Sequence, residues 1–124
     1  MAVEDVANQK RVLVVGALGR MGEQIRAQVA IHPELRLGAA LERAGHPDLG
    51  SAVEEDVVVT DDVKAALQGC DVVIDFSIPT ATLTNLRAAA DAGVAYVTGT
   101  TGLSVEERAE VAALAHRIAV IHAA

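Results

Sequence analysis

The chain has 124 residues, 52% of them hydrophobic, and a formal net charge of −7. That length suits one domain with a true core, and that composition excludes a disordered polypeptide. The acidic balance disfavours nucleic acid and anionic membranes as partners, and no uninterrupted apolar run is long enough to span a bilayer.

Residues 1–9 mix charges and hold no apolar core, so they read as a loose leader rather than a signal peptide. Lys10–Val15 is predicted as the first strand, its near-continuous apolar run suiting a strand buried on both faces. A helix follows from Arg20 to about Ala30, with Met21, Ile25 and Val29 on one face, and His32-Pro33 ends it. Leu35–Leu41 is the second strand. Ala44–Asp56 carries glycine, proline and a charge cluster, and reads as loop.

Val57–Thr60 is the third strand. Asp61 or Asp62 caps a short helix to about Gln68, and Gly69 stops it. Asp71–Phe76 is the fourth strand, with Val72-Val73-Ile74 as its buried centre. Pro79-Thr80 opens a helix to Ala92, with Leu83, Leu86 and Ala90 inward and Gly93 at its end. Val94–Thr98 is the fifth strand. Ser104 and Glu107 form a capping box for a helix to about His116, and Ile118–Ile121 is the sixth strand. Strands alternate with helices, which predicts right-handed crossovers and an α/β fold. The expected form is a single-domain, Rossmann-type, doubly wound parallel sheet of about six strands.

The first strand runs into Gly16-Ala17-Leu18-Gly19-Arg20-Met21-Gly22. Gly16 permits a tight turn, Gly19 lets the backbone approach a pyrophosphate, and Gly22 lets the helix pack on the strand. The helix N-terminus would then face phosphates. The spacing GxxGxxG alone is weak, since glycines also mark plain turns. Its context is stronger: a strand before, a helix after, and Glu42 twenty residues past Gly22, near the spacing of a ribose-binding carboxylate. Glu42 is read either as that carboxylate or as an exposed loop residue. Arg43 is read either as a clamp for a 2′-phosphate or as a solvated charge.

Two further turns fall at strand carboxyl ends, where open α/β sheets bind ligands. They are Asp75-Phe76-Ser77-Ile78-Pro79 and Thr98-Gly99-Thr100-Thr101-Gly102. Asp75 could serve a ligand or be a satisfied structural carboxylate. His32, His46, His116 and His122 lack metal-ligand spacing, and Cys70 has no second cysteine for a disulfide or metal site. The cysteine usage fits a cytoplasmic protein. No nucleophile–base pair or strong general acid stands out.

These motifs resemble the N-terminal half of the 4-hydroxy-tetrahydrodipicolinate reductase (dihydrodipicolinate reductase) family, of lysine and diaminopimelate synthesis. Four stretches carry the likeness in order: Gly16–Gly22, Gly38-Ala39-Ala40-Leu41-Glu42-Arg43, Val73-Ile74-Asp75-Phe76-Ser77-Ile78-Pro79 and Gly99-Thr100-Thr101-Gly102. The resemblance covers nearly all of residues 10–124. It implies an oxidoreductase domain that binds NADPH or NADH. Gly16, Ala17, Leu18, Gly19, Arg20 and Met21 would meet the pyrophosphate, Glu42 the adenosine ribose and Arg43 the 2′-phosphate. Phe76, Gly99, Thr100, Thr101, Ala123 and Ala124 complete the implied cofactor residues, the threonine turn lying along the nicotinamide.

The family's substrate domain, with its His-His-x-x-Lys motif and Ser-Gly-Thr stretch, has no counterpart in these 124 residues. The resemblance therefore implies no catalytic residue here, an inactive chain when alone, a small-molecule substrate only with that domain, and an oligomer in the intact family. Two rival readings are a non-catalytic nucleotide-sensing module and the nucleotide domain of another amino-acid-pathway dehydrogenase, such as a homoserine dehydrogenase-like enzyme.

Overall fold

The computed structural model describes residues 8–123. Residues 1–7 of the expected leader, and Ala124, lie outside the described residues. Seven strands and four helices follow in order. They are β1 (Lys10–Val15), α1 (Arg20–Ile31), β2 (Leu35–Leu41), β3 (Ala52–Glu54), β4 (Val57–Thr60), α2 (Val63–Leu67), β5 (Val72–Asp75), α3 (Pro79–Ala92), β6 (Ala95–Thr98), α4 (Val105–Leu114) and β7 (Val120–His122). One sheet contains all the strands, in the order β3-β4-β2-β1-β5-β6-β7. Every neighbouring pair is parallel except β3 with β4.

The alternation of β1 explains the layering. Leu13 and Val15 enter one core with Leu83, Leu86, Tyr96, Val111 and Leu114, under α2, α3 and α4. Val12 and Val14 enter the other, with Val29, Leu37, Ala40 and Val59, under α1. A strand apolar at every position has a helical layer on each side, as a central parallel strand requires. Between Val12 and Leu13 the β1–β2 register slips by one residue, at Gly38. That bulge turns Leu37 and Ala39, which share parity in sequence, to opposite cores.

The helix boundaries follow their caps. Asp62 accepts the Ala65 N–H at 3.1 Å and starts α2. The Ser104 hydroxyl and Glu107 carboxylate form the predicted capping box of α4. Gly93 closes α3 in the left-handed region at φ 72°. Arg87 and Glu110 form an ion pair that ties α3 to α4.

Three expectations change. The stretch 44–56 is not all loop: Ala52–Glu54 is a seventh, antiparallel edge strand, closed onto β4 by Glu55 and Asp56. Three residues with one large apolar side chain show no periodicity, and Glu-Asp is not a typical hairpin turn. Of Val72-Val73-Ile74, only Val73 is fully buried. Met21 is 48% exposed rather than facing inward with Val29. The last two share a cause. α1 covers β1 and β2, so among the described residues the sheet face beyond it leaves an apolar groove of about 440 Å³. Met21, Ile25, Ile74, Phe76 and Val97 line it.

Candidate functional site

The strand order reverses between β1 and β5, one crossover running to β2 and the next to β5. Ligands of doubly wound sheets sit outside the strand ends at such a switch. The glycine turn follows β1 there. Gly16 takes φ 68°, and the Gly16 and Ala17 N–H groups both donate to the Leu41 carbonyl, at 2.9 and 3.2 Å. The Leu18 N–H donates to Glu42 Oε2 at 2.9 Å, and Arg26 Nε donates to the Ala17 carbonyl at 2.8 Å. The turn is therefore held from β2, from the loop after it and from α1.

The three glycines do different work. A Cβ at Gly22 would overlap the Gly16 carbonyl oxygen and crowd the Ala17 backbone at 2.8 Å. Gly22 is thus required by the packing of α1 on the turn. A Cβ at Gly19 would meet only the Gly16 carbonyl, at 3.4 Å, and Gly19 has an ordinary extended backbone at φ −74°. Nothing within the protein demands a glycine at that position. The space a side chain would take belongs to a cleft of about 270 Å³ that Gly16, Gly19, Arg20, Met21, Glu42 and Phe76 line.

No side chain caps α1, so the N–H groups of its first turn have no internal side-chain acceptor. The exposed guanidinium of Arg20 stands at the same helix start. Together these favour an anion locally, although the chain as a whole is acidic.

A second cleft, of about 520 Å³, adjoins the first through Gly16 and Glu42. Glu42 and Arg43 line it on one side. Val63, Ile78 and Ala81 supply apolar wall, and Asp61, Thr84 and Asn85 supply polar groups. Sequence reasoning missed this α2–α3 wall. Apart from Ile78, its residues follow no motif, and they come together only because β4 and β5 flank β2 and β1. Glu42 has one oxygen on Leu18, and the other accepts the Arg43 N–H at 3.3 Å.

The turns after β5 and β6 meet each other. The Phe76 ring lies over Gly99, where a Cβ would overlap it, and the Gly99 N–H donates to the Asp75 carbonyl at 2.9 Å. Asp75 is fully buried and accepts from the Tyr96 hydroxyl at 2.5 Å and the Ser77 N–H at 2.7 Å. Its side chain is thus the satisfied structural carboxylate of the two sequence readings. Burial, then the negative charge of Asp75 and the hydrogen bond to it, push the Tyr96 phenol well above its ordinary range.

Thr100 is buried, its hydroxyl 2.7 Å from that of Thr82 and 3.0 Å from that of Thr98. Thr101 is exposed. The Thr100 carbonyl accepts from His122 Nε2 at 3.0 Å, and the Ala123 N–H donates to the Thr98 carbonyl at 2.9 Å. So Gly99, Thr100, Thr101 and Ala123 share the β5–β7 end of the crevice and Gly16–Met21, Glu42 and Arg43 the β1–β2 end, with Phe76 lying over Gly99 and also lining the cleft at the glycine turn. Ala17 is fully buried, with both backbone groups engaged in the turn. Among the described residues no group of three or more His, Cys, Asp or Glu is placed to hold a metal ion. None of the helices among those residues is long and apolar enough to cross a membrane.

The family described as "Dihydrodipicolinate reductase, N-terminus" matches residues 10–124. The 4-hydroxy-tetrahydrodipicolinate reductase of Desulfotalea psychrophila is 43% identical over 108 residues, covering 82% of this chain and 40% of that protein. Its counterpart in an Anaeromyxobacter species is 46% identical over 115 residues, covering 89% and 43%.

Among solved structures, the dipicolinate-bound dihydrodipicolinate reductase from Paenisporosarcina sp. TG-14 superposes with a TM-score of 0.74 at 24% identity. That match covers 86% of this chain and 43% of that one. Aspartate semialdehyde dehydrogenase with NADP from Candida albicans gives 0.60 at 23% identity, covering 75% and 30%. Both are likenesses of fold. The chain spans less than half the length of these two curated relatives. With the family match extending over residues 10–124, the chain belongs to the dihydrodipicolinate reductase N-terminal family.

Proposed function

We propose that residues 10–124 are the dinucleotide-binding domain of a 4-hydroxy-tetrahydrodipicolinate reductase, an oxidoreductase of lysine and diaminopimelate synthesis. The cofactor is a nicotinamide dinucleotide, NADPH or NADH, which delivers hydride to a cyclic imine-type substrate. The glycine turn and the first turn of α1 hold the pyrophosphate. Glu42 takes the adenosine ribose, Arg43 the 2′-phosphate of NADPH, and the 520 Å³ cleft between α2 and α3 the adenine. Phe76 and the Gly99–Thr101 turn flank the nicotinamide. The substrate is gripped and protonated by the part of the relatives that lies beyond the match. The reading implies a cytoplasmic protein.

The observation that carries this reading is Gly19. Its glycine is not required by its own backbone angle or by any neighbour in the fold, and it borders the cleft at the start of an uncapped helix. A ligand pressed against the backbone accounts for it. Calorimetric titration of the chain with NADPH and NADH tests the reading. Saturable binding of either supports it, and no heat from either at millimolar concentration sinks it.

A further inference from the structure

We propose that Asp75 is a positioning residue for the nicotinamide half of the site, acting through the two turns it joins. The proposal rests on the dinucleotide reading above. Asp75 ends β5 with its carboxylate fully buried, yet the groups that face it are neutral: the Tyr96 hydroxyl at 2.5 Å and the Ser77 N–H at 2.7 Å. A buried carboxylate is costly unless several donors satisfy it. An apolar residue would serve a plain strand end, so what Asp75 alone does here has to lie in what its donors fix.

Each of its bonds fixes one part of the crevice. The Ser77 N–H closes a tight loop around Phe76, which directs that ring outward from the turn. The Tyr96 hydroxyl comes from the adjacent strand and limits rotation of the carboxylate. The Asp75 carbonyl takes the Gly99 N–H at 2.9 Å, which brings Gly99 beneath the Phe76 ring. A second layer lies behind. The hydroxyls of Ser77, Thr82, Thr100 and Thr98 form a chain with separations of 3.4, 2.7 and 3.0 Å. Asp75 thus sets the distance and tilt between Phe76 and the glycine–threonine turn. Among the described residues, neither the glycine turn nor Arg43 hydrogen-bonds to the Asp75 side chain, although Ser77 also lines the Arg43 cleft and Phe76 the cleft at the glycine turn.

That difference in direct bonding supplies the test. Asp75→Asn keeps the volume but cannot accept both donors with the same geometry. Tyr96→Phe keeps the ring and removes one donor. Each variant chain is titrated with NADPH and with 2′-phospho-ADP-ribose, which lacks the nicotinamide, after circular dichroism has shown it folded. The expected result for Asp75→Asn is about a tenfold loss for NADPH with 2′-phospho-ADP-ribose within about twofold of wild type. Tyr96→Phe follows the same pattern more weakly, and decides the matter should Asp75→Asn not fold. Equal losses on the two ligands, or no loss on either, overturn the positioning role while leaving the dinucleotide reading intact. A wild-type chain that binds neither ligand overturns that reading and the proposal with it.

Discussion

Glu42 Oε2 accepts the backbone N–H of Leu18 at 2.9 Å, joining the loop after β2 to the glycine turn after β1. The acid that the sequence offers as a ribose ligand is therefore also a brace for the glycine turn. With one oxygen on Leu18, the carboxylate would meet a ribose with its remaining lone pairs rather than as a free fork.

Removing that brace should show in stability even without cofactor. Glu42→Ala leaves the Leu18 N–H without its acceptor and is expected to cost about 1–2 kcal/mol, reduced from the value for a buried charged pair because Glu42 is half-exposed. Glu42→Gln retains an acceptor oxygen and should cost less than half as much. Urea denaturation of the two variants decides it, and two variants equally stable with wild type would remove the bracing role.

The glycines of the turn separate folding from binding. Gly22→Ala drives a Cβ into the Gly16 carbonyl and Ala17 backbone, which cannot swing aside. A loss of at least about 1–3 kcal/mol is expected from such overpacking. The Cβ of Gly19→Val meets only the Gly16 carbonyl, at 3.4 Å, so this variant should keep more stability than Gly22→Ala while losing cofactor affinity altogether. Thermal melts and titrations on both variants check the pair. A Gly19→Val chain that still binds NADPH normally would show that the cleft is not the pyrophosphate site.

Arg43 is exposed at the rim of the larger cleft. Only NADPH carries a 2′-phosphate, so Arg43→Ala should weaken NADPH by about 1.5–3 kcal/mol and leave NADH nearly unchanged. Raised salt should narrow the difference, because the contact is solvent-facing. Equal losses for the two cofactors would reassign Arg43 to the solvated surface.

Much of this site was legible in the sequence because its signals are local. Gly16–Gly22 states a turn and a helix start, Ser104 and Glu107 state a cap, and β1 states its two-sided burial in six residues. What was not legible depends on partners far along the chain. The β3 edge strand is defined by pairing with β4 rather than by its own pattern. Met21 has the right helical phase to be inward, yet α1 stops covering the sheet where Met21 stands. The sequence left Asp75 open between two roles, because its donors, Tyr96 and Ser77, come from a different strand and the next turn. The α2–α3 wall of the larger cleft, from Asp61 to Asn85, needed the strand order before it could be seen.

Tyr96 gives the fold a defined weakness in alkali. It is the chain's single tyrosine, and there is no tryptophan, so its ionisation can be followed by absorbance without interference. Burial, the Asp75 charge and the hydrogen bond to Asp75 raise its folded pKa well above the ordinary value of 10.0. The sign follows from which state holds the proton. Below that ordinary value both states are protonated, and the favourable burial of the neutral phenol is fully present. Above it the unfolded chain releases the proton while the folded chain retains it, so stability falls as pH rises, by about 1.4 kcal/mol per pH unit from this group alone. Tyr96→Phe has nothing to ionise. It should be less stable than wild type near neutrality, where it lacks the bond to Asp75, by about 1–2 kcal/mol. Its stability should then fall less steeply with pH, so that the two curves approach each other roughly one unit above the ordinary phenol pKa. Urea midpoints of both chains across that range test this, with tyrosinate absorbance recorded in parallel. Tyrosinate signal should appear together with unfolding in the wild type. Ionisation at the ordinary value in a chain that stays folded would show that Tyr96 is not held against Asp75 in a dry core.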